Sequence, residues 1–257
     1  MESASQQELL DALKSSDPSR KEMAICEIGN REDAALLPPL FEILDDPSER
    51  IRWRTLQSIG KLGASGTNDR VLGLLKDSSS RVRGEAARVV GLAGRKELAP
   101  ALAPLLEDAD LQVRCRAIEG LGEIGDPGEG LAEQIVASLQ DSDNRIRMHS
   151  ALALGKCRHA PACSPLLDSL RDPSHNVRGL SAWALGNLGD ERAIEALIEA
   201  LEDDGESVRL YAYQALDAFG PKALPGLKNA REGKDRSVRA VVDRLIEDIS
   251  SEDGEDN

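Results

Sequence analysis

Seven times along this chain a β-branched residue stands directly before an arginine: Ile51-Arg52, Val82-Arg83, Val113-Arg114, Ile146-Arg147, Val177-Arg178, Val208-Arg209 and Val238-Arg239. The intervals are 31, 31, 33, 31, 31 and 30 residues. A fixed period of this size means that one small structural unit is built repeatedly, and no other property of the sequence restricts the fold as strongly. The frame extends on both sides. Asp46, Asp77, Asp108, Asp141, Asp172 and Asp203 each stand six residues before an arginine, and Gly60, Gly91, Gly122, Gly155 and Gly186 each stand eight after one, with Asp217 in the glycine's place in the next repeat.

In the repeat DPSHNVRGLSAWALGNLGD, residues 172–190, Val177, Ser181, Ala184, Leu185 and Leu188 share one helical face. Ile146, Ser150, Ala153, Leu154 and Cys157 are their equivalents one repeat earlier. This spacing predicts an amphipathic helix entered at Ser174 as N-cap and left through Gly-x-x-Gly. The next stretch, DERAIEALIEALED, sets Ala193, Leu197 and Leu201 in one row with Ile194 and Ile198 beside it. It predicts a second amphipathic helix of about three turns. The repeat is therefore a helical hairpin, and eight of them fit between Ser5 and Ile249. A hairpin this short cannot bury its own apolar stripe, whereas stacked hairpins share a continuous core. Aromatics at 2% and 22 glycines suit close-packed helices better than sheets. The expected fold is all-α, a right-handed α-solenoid of about eight stacked hairpins forming one domain over 1–249. An acidic tail at 250–257, without an apolar anchor, is expected to be disordered. The end repeats depart from the frame, with Lys21 in the arginine position of the first and Gly233 in the aspartate position of the last.

The pattern Asp-x4-[Val/Ile]-Arg-x2-[Ala/Ser/Thr]-x3-[Leu/Ile/Val]-Gly resembles the HEAT repeats over residues 5–249. The likeness is to their short form, found in phycobilin lyase subunits and related bacterial and archaeal scaffold proteins. The resemblance implies a ladder in which Arg52, Arg83, Arg114, Arg147, Arg178 and Arg209 pair with the turn aspartates of neighbouring repeats. A guanidinium suits that role, because its planar fork can hold a carboxylate and a loop carbonyl together.

With 32 Lys and Arg against 46 Asp and Glu, the formal charge is −14. That balance argues against sequence-independent binding to nucleic acid or to an anionic membrane. The N-terminus has neither the basic nor the apolar segment of a secretory leader, and no apolar run approaches ~18 residues. Cys26, Cys115, Cys157 and Cys163 are scattered as in proteins of a reducing compartment, so a cytoplasmic location is expected.

Converging catalytic groups are scarce. Deoxyhypusine hydroxylases, which are HEAT-like, hold iron through His-Glu pairs, but His149, His159 and His175 are followed by Ser150, Ala160 and Asn176. Cys157, His159 and Cys163 have the wrong spacing for a zinc knuckle. No catalytic residue, metal or cofactor is expected. HEAT-like DNA glycosylases use a basic concave face, and here Arg50, Arg54, Arg81, Arg88, Arg116 and Arg145 point away from the core. That stretch suits an acidic protein segment or phosphates, or is a solvated face balanced by nearby glutamates.

Positions two and six after the repeat valine lie nearly opposite the core. Met148, Leu152, Trp183 and Leu210 occupy them on successive helices, with Gly179 leaving a hollow and Tyr211 at its edge, while Trp53 holds the same position earlier. An apolar patch with an aromatic anchor beside arginines suits a protein partner. The alternative is that Trp53 and Trp183 pack between neighbouring helices. The function expected is a non-catalytic, monomeric interaction scaffold that binds a partner protein through its concave face. The alternative that the resemblance implies is a phycobilin lyase subunit or chromophore-handling chaperone, whose activity as an enzyme would be of the bilin lyase type.

Overall fold

The computed structural model describes residues 5–31, 33–64, 67–231 and 236–252. Regular structure among them is entirely helical, and the chain divides into two compact bodies, 1–131 and 132–257. It is an all-α solenoid of helical hairpins. No helix among the described residues is long and apolar enough to cross a membrane.

The N-terminal body pairs α1 (Gln6–Leu13) with α2 (Pro18–Asn30), α3 (Leu37–Ile43) with α4 (Glu49–Lys61), α5 (Asp69–Gly73) with α6 (Ser80–Leu92), and α7 (Ala99–Leu102) with α8 (Leu111–Ile124). The second helices form one layer, α2 against α4, α4 against α6 and α6 against α8. In the C-terminal body α9 (Glu129–Ala137) precedes α10 (Asn144–Cys157), α11 (Cys163–Ser169) precedes α12 (His175–Leu188), α13 (Ile194–Ala200) precedes α14 (Glu206–Phe219), and α15 (Leu224–Ala230) precedes α16 (Arg236–Glu252). Here α10 packs on α12, α12 on α14 and α14 on α16, with α13 on α15 in the first-helix layer.

The core stripe lies where the 3.6-residue period placed it. Val177, Ser181, Ala184 and Leu185 are buried, as are Ile146, Ser150, Ala153 and Leu154, while Leu188 and Cys157 at the helix ends are half-buried. Two buried hydroxyls are satisfied by the backbone one turn back, Thr55 Oγ1 donating to the Ile51 carbonyl at 2.8 Å and Ser150 Oγ to that of Ile146 at 2.8 Å. Ser58 Oγ donates across to the Ile25 carbonyl at 2.8 Å, whereas Ser181 Oγ has no hydrogen-bond partner among the described residues.

Three local features differ from the sequence reading. The first helices are shorter than expected, since 190–203 opens with a 3₁₀ turn at Glu191–Ala193 before the two turns of α13. Elsewhere prolines sit in the first turn, as in α3, α7 and α15, where the missing N–H costs no bond. Ser174 has the backbone conformation of an N-cap, but its side chain makes no capping bond. The ladder aspartate acts instead, Asp172 Oδ1 accepting from the Ser174 amide at 2.8 Å. The two glycines of Gly-x-x-Gly have separate tasks. The second, such as Gly189 at φ 68°, is the left-handed C-cap. The first lets helices approach closely: a Cβ on Gly91 would lie 2.4 Å from the Gly120 Cα across the α6–α8 contact.

At the N-terminal end Lys21 substitutes for the ladder arginine, its Nζ donating to Asp46 Oδ2 at 2.6 Å. Gly233, at the other end, lies outside the described residues. The final helix continues three residues beyond Ile249 to Glu252, with Ser251 Oγ bonded to the Asp248 carbonyl at 2.8 Å. Of the acidic tail, 253–257 lie outside the described residues.

Candidate protein-binding face

The frame arginines are occupied by the fold. Arg52 places Nε and Nη2 at 2.7 and 2.9 Å from the two carboxylate oxygens of Asp77, while its Nη1 donates to the carbonyls of Asp46 and Pro47. Arg83 repeats this on Asp108, Arg147 on Asp172 and Arg178 on Asp203. Arg114 and Arg209 keep the carbonyl half, on Asp108 and Asp203. Burial is the largest single influence on Asp77, Asp172 and Asp203 and would raise their pKa, but the arginine hydrogen bonds, the backbone amide bonds and the arginine charges together outweigh it and hold all three below the usual carboxylate value. At Asp108 the Arg83 bonds are the largest influence and act in the same direction. Each pair ties one repeat to the next, and each aspartate also caps the following helix. The grooves at this turn edge, of about 400 and 440 Å³, are lined largely by these same polar groups, Asp141, Arg147 and Asp172 in one and Arg178 and Asp204 in the other.

In the N-terminal body, the structure gathers Arg50, Trp53 and Arg54 of α4, Arg81 of α6 and Glu22 of α2. Glu22 Oε1 accepts from Arg50 Nε at 3.1 Å and Arg54 Nε at 3.0 Å, and Arg50 Nη2 is 2.8 Å from Oε2. Burial opposes the charge on Glu22, yet the two guanidinium groups lower its pKa. The Arg81 guanidinium lies over the Trp53 ring, 3.3 Å from its centroid, and that of Arg54 is 4.5 Å away. The other arginines are held by acids within their own repeats: Arg88 by Glu85 at 2.6 Å, Arg116 by Glu119 at 2.7 Å, and Arg145, in the C-terminal body, by Asp143 at 2.9 Å. The expectation of a face balanced by nearby carboxylates thus describes Arg50, Arg54, Arg88, Arg116 and Arg145. Arg81 is stacked on an indole instead.

In the C-terminal body Met148 and Leu152 on α10 and Trp183 on α12 are half-buried, and Leu210 on α14 is 53% exposed. The Trp183 ring sits over Gly155, where a Cβ would come within 2.6 Å of Cζ3. The hollow expected at Gly179 is filled: its Cβ position lies 3.2 Å from Tyr211 Cδ2, and Gly179 is buried. Both rings therefore pack across neighbouring helices while keeping an outer edge. Tyr213 Oη donates to Asp248 Oδ2 at 2.6 Å, joining α14 to α16.

Two residues had been passed over. Met23 is 75% exposed and follows Glu22 on α2; aligning Lys21 with the frame arginines places both on the outward side, which is the signal that could have found them. Near Cys157, His159 and Cys163, the Cys163 thiol is fully buried, and burial followed by the adjacent Asp190 pushes its pKa up. Among the described residues no group of three or more His, Cys, Asp or Glu side chains is placed to hold a metal.

Hairpins with a shared core, joined by an Arg–Asp turn ladder, define an α-solenoid repeat protein. The profile of the HEAT repeats matches residues 7–80, 67–133 and 163–246, and the chain belongs to that family. Solved structures share its fold. A chain from the complex of CpcE and CpcF of phycocyanin lyase from Nostoc sp. PCC7120 is 21% identical, with TM-score 0.59 over 95% of this chain and 96% of that one. YibA of Escherichia coli gives TM-score 0.64 at 16% identity, over 96% and 93%. An engineered protein gives TM-score 0.59 at 19% identity, over 95% and 78%. No curated protein sequence matches the chain significantly.

Proposed function

We propose that the protein is a non-catalytic, monomeric cytoplasmic scaffold that binds a partner protein on the outward faces of its second helices. The carrying observation is Leu210, a large apolar side chain 53% exposed, on the helix that also presents the half-buried Tyr211 and next to the one that presents Trp183. An apolar side chain held outward on a rigid helix, with aromatic edges on the same layer, suits a partner's apolar anchor better than water. The fold likeness to a subunit of the CpcE–CpcF complex supports a protein as the partner.

The test is affinity purification with the intact chain beside Leu210→Asp and Trp183→Ala. A partner that co-purifies stoichiometrically with the parent and is lost on Leu210→Asp, while the thermal melt is unchanged, supports the reading. Equal recovery with both variants refutes it. The second reading, bilin handling, draws on the phycocyanin lyase likeness; a titration with phycocyanobilin that leaves its absorbance spectrum unchanged removes it.

A further inference from the structure

We propose that the outer face of α2, α4 and α6 is a carboxylate-binding site for an acidic segment of a partner protein, with Arg81, laid on Trp53, as the residue that forks the incoming carboxylate. This inference rests on the scaffold reading and gives the N-terminal body its own partner chemistry.

Stacking a guanidinium on an indole satisfies its weakly hydrated faces and leaves its five N–H donors in the plane, free to meet a carboxylate edge-on. Arg81 is exposed, and no carboxylate among the described residues lies within ion-pair distance of it. Its neighbours show what this face accepts, for Glu22 already occupies the space between Arg50 and Arg54, using both oxygens. Arg50 and Arg54 share one glutamate, Glu22, while Arg81 has no carboxylate partner among the described residues, on a chain whose formal charge is −14. An acidic segment is repelled by most of this protein and attracted here, so the field both selects the segment and fixes where it lands. Met23, 75% exposed on α2, offers an apolar contact for a neighbouring side chain of the same segment. Duplex nucleic acid, which draws its affinity from many phosphate contacts, meets only three arginines on this face, two of them already paired with Glu22.

The test uses the full chain carrying Trp183→Phe, so that Trp53 is the sole tryptophan emitter. The probe is a capped ten-residue peptide of Asp and Glu with one central Leu. A saturable change in Trp53 emission is expected, with affinity about tenfold weaker for Arg81→Ala. Arg81→Lys, which keeps the charge and loses the fork, should also weaken binding severalfold, while Arg171→Ala, an exposed arginine of the other body, should leave it unchanged. Circular dichroism melts confirm that each variant folds. Absence of saturable binding, equal weakening by Arg81→Ala and Arg171→Ala, or full affinity in Arg81→Lys would overturn the proposal. So would displacement of the acidic peptide by inorganic phosphate at equal concentration, which would make this a phosphate site. If Leu210-dependent partner capture persists while the acidic peptide fails to bind, this inference falls and the scaffold reading stands; the opposite pattern refutes the scaffold reading alone.

Discussion

Two alanines in one helix test the close approach of α6 and α8. Gly91→Ala places a Cβ 2.4 Å from the Cα of Gly120 and about 3 Å from its carbonyl group. Carbon atoms in contact sit roughly 3.5–4.0 Å apart, so the overlap exceeds about 1 Å. The opposing atoms are backbone, which cannot rotate away, and the helices must separate. Gly84→Ala instead meets Arg116 Cγ at 3.7 Å and Val113 Cγ2 at 3.8 Å, ordinary contacts made by side chains. Both substitutions gain about 0.5–1 kcal/mol from the helix preference of alanine over glycine. At Gly91 that gain is outweighed by about 2–4 kcal/mol of overpacking and loosened contact between the two helices. The expected net effects are a loss of about 1–3 kcal/mol for Gly91→Ala and a gain of about 0.5–1 kcal/mol for Gly84→Ala. At about 3 °C per kcal/mol for a unit of this size, the first lowers the melting temperature by roughly 3–9 °C and the second raises it slightly.

The assay follows from the placement of the two tryptophans, Trp53 in one compact body and Trp183 in the other. In a Trp183→Phe background the emission of Trp53 reports the N-terminal body alone, so a global melt of uncertain cooperativity is not needed. Gly91→Ala melting at or above its parent would refute the argument. So would Gly84→Ala falling as far as Gly91→Ala, since the helix would then be responding to any added methyl group rather than to a backbone collision.

Arg158 holds φ 49° at the C-cap of α10, where Gly189 serves α12; Arg158→Gly should stabilise the C-terminal body by about 0.5–1 kcal/mol, read from Trp183 emission in a Trp53→Phe background. The lowered pKa values of Asp77, Asp108, Asp172 and Asp203 mean that the unfolded chain binds protons first as pH falls. Their stabilisation is complete above the ordinary aspartate value of about 3.9 and is lost as pH falls through the lower folded values. Melts between pH 6 and 2 should therefore drop mainly below about pH 4, and Asp108→Asn should be less stable than the parent at pH 6 with a smaller further loss on acidification. Burial, then the hydrogen bond to Asp248, raises the Tyr213 pKa to about 12. Phenolate absorbance near 295 nm should show one tyrosine titrating there, Asp248→Asn should bring it down, and the associated stabilisation should be lost as pH rises from about 10 through 12.

The fold was legible because its strongest constraints recur at a fixed interval. Asp172 must cap its own helix and receive Arg147, Arg178 must reach both Asp203 and the Asp172 carbonyl, and Val177 must face the core. The bidentate pair recurs at four of the frame arginines and the carbonyl bond at all six from Arg52 to Arg209, so periodicity alone exposes the hairpins. The 3₁₀ turns of the first helices were not legible, because no repeated residue marks them. The outward face was legible only in outline. Periodicity states which side of a helix a residue takes, but not whether the next helix covers it. Gly179 looked like a hollow until Tyr211, thirty-two residues on in sequence, was found packed against it.

That failure contains a rule for choosing among the outward residues. At three glycines a large side chain of the following second helix lies over the opening, Arg88 over Gly60, Trp183 over Gly155 and Tyr211 over Gly179, whereas Gly29, Gly91 and Gly186 are met by Ser58, Gly120 and Ala215. Large-on-small complementation of this kind is a packing device, and it explains part of the presence of Trp183 without a partner. Leu210 and Arg81 are not explained in this way. Among the described residues neither lies against a glycine, Leu210 is more than half exposed, and Arg81 has no carboxylate partner and rests on the ring of Trp53. A large side chain held outward on a rigid helix without a covering neighbour gains nothing for the fold in proportion to its size. The weight of the functional argument therefore moves from the most conspicuous aromatic, Trp183, to these two residues, one apolar in the C-terminal body and one cationic in the N-terminal body.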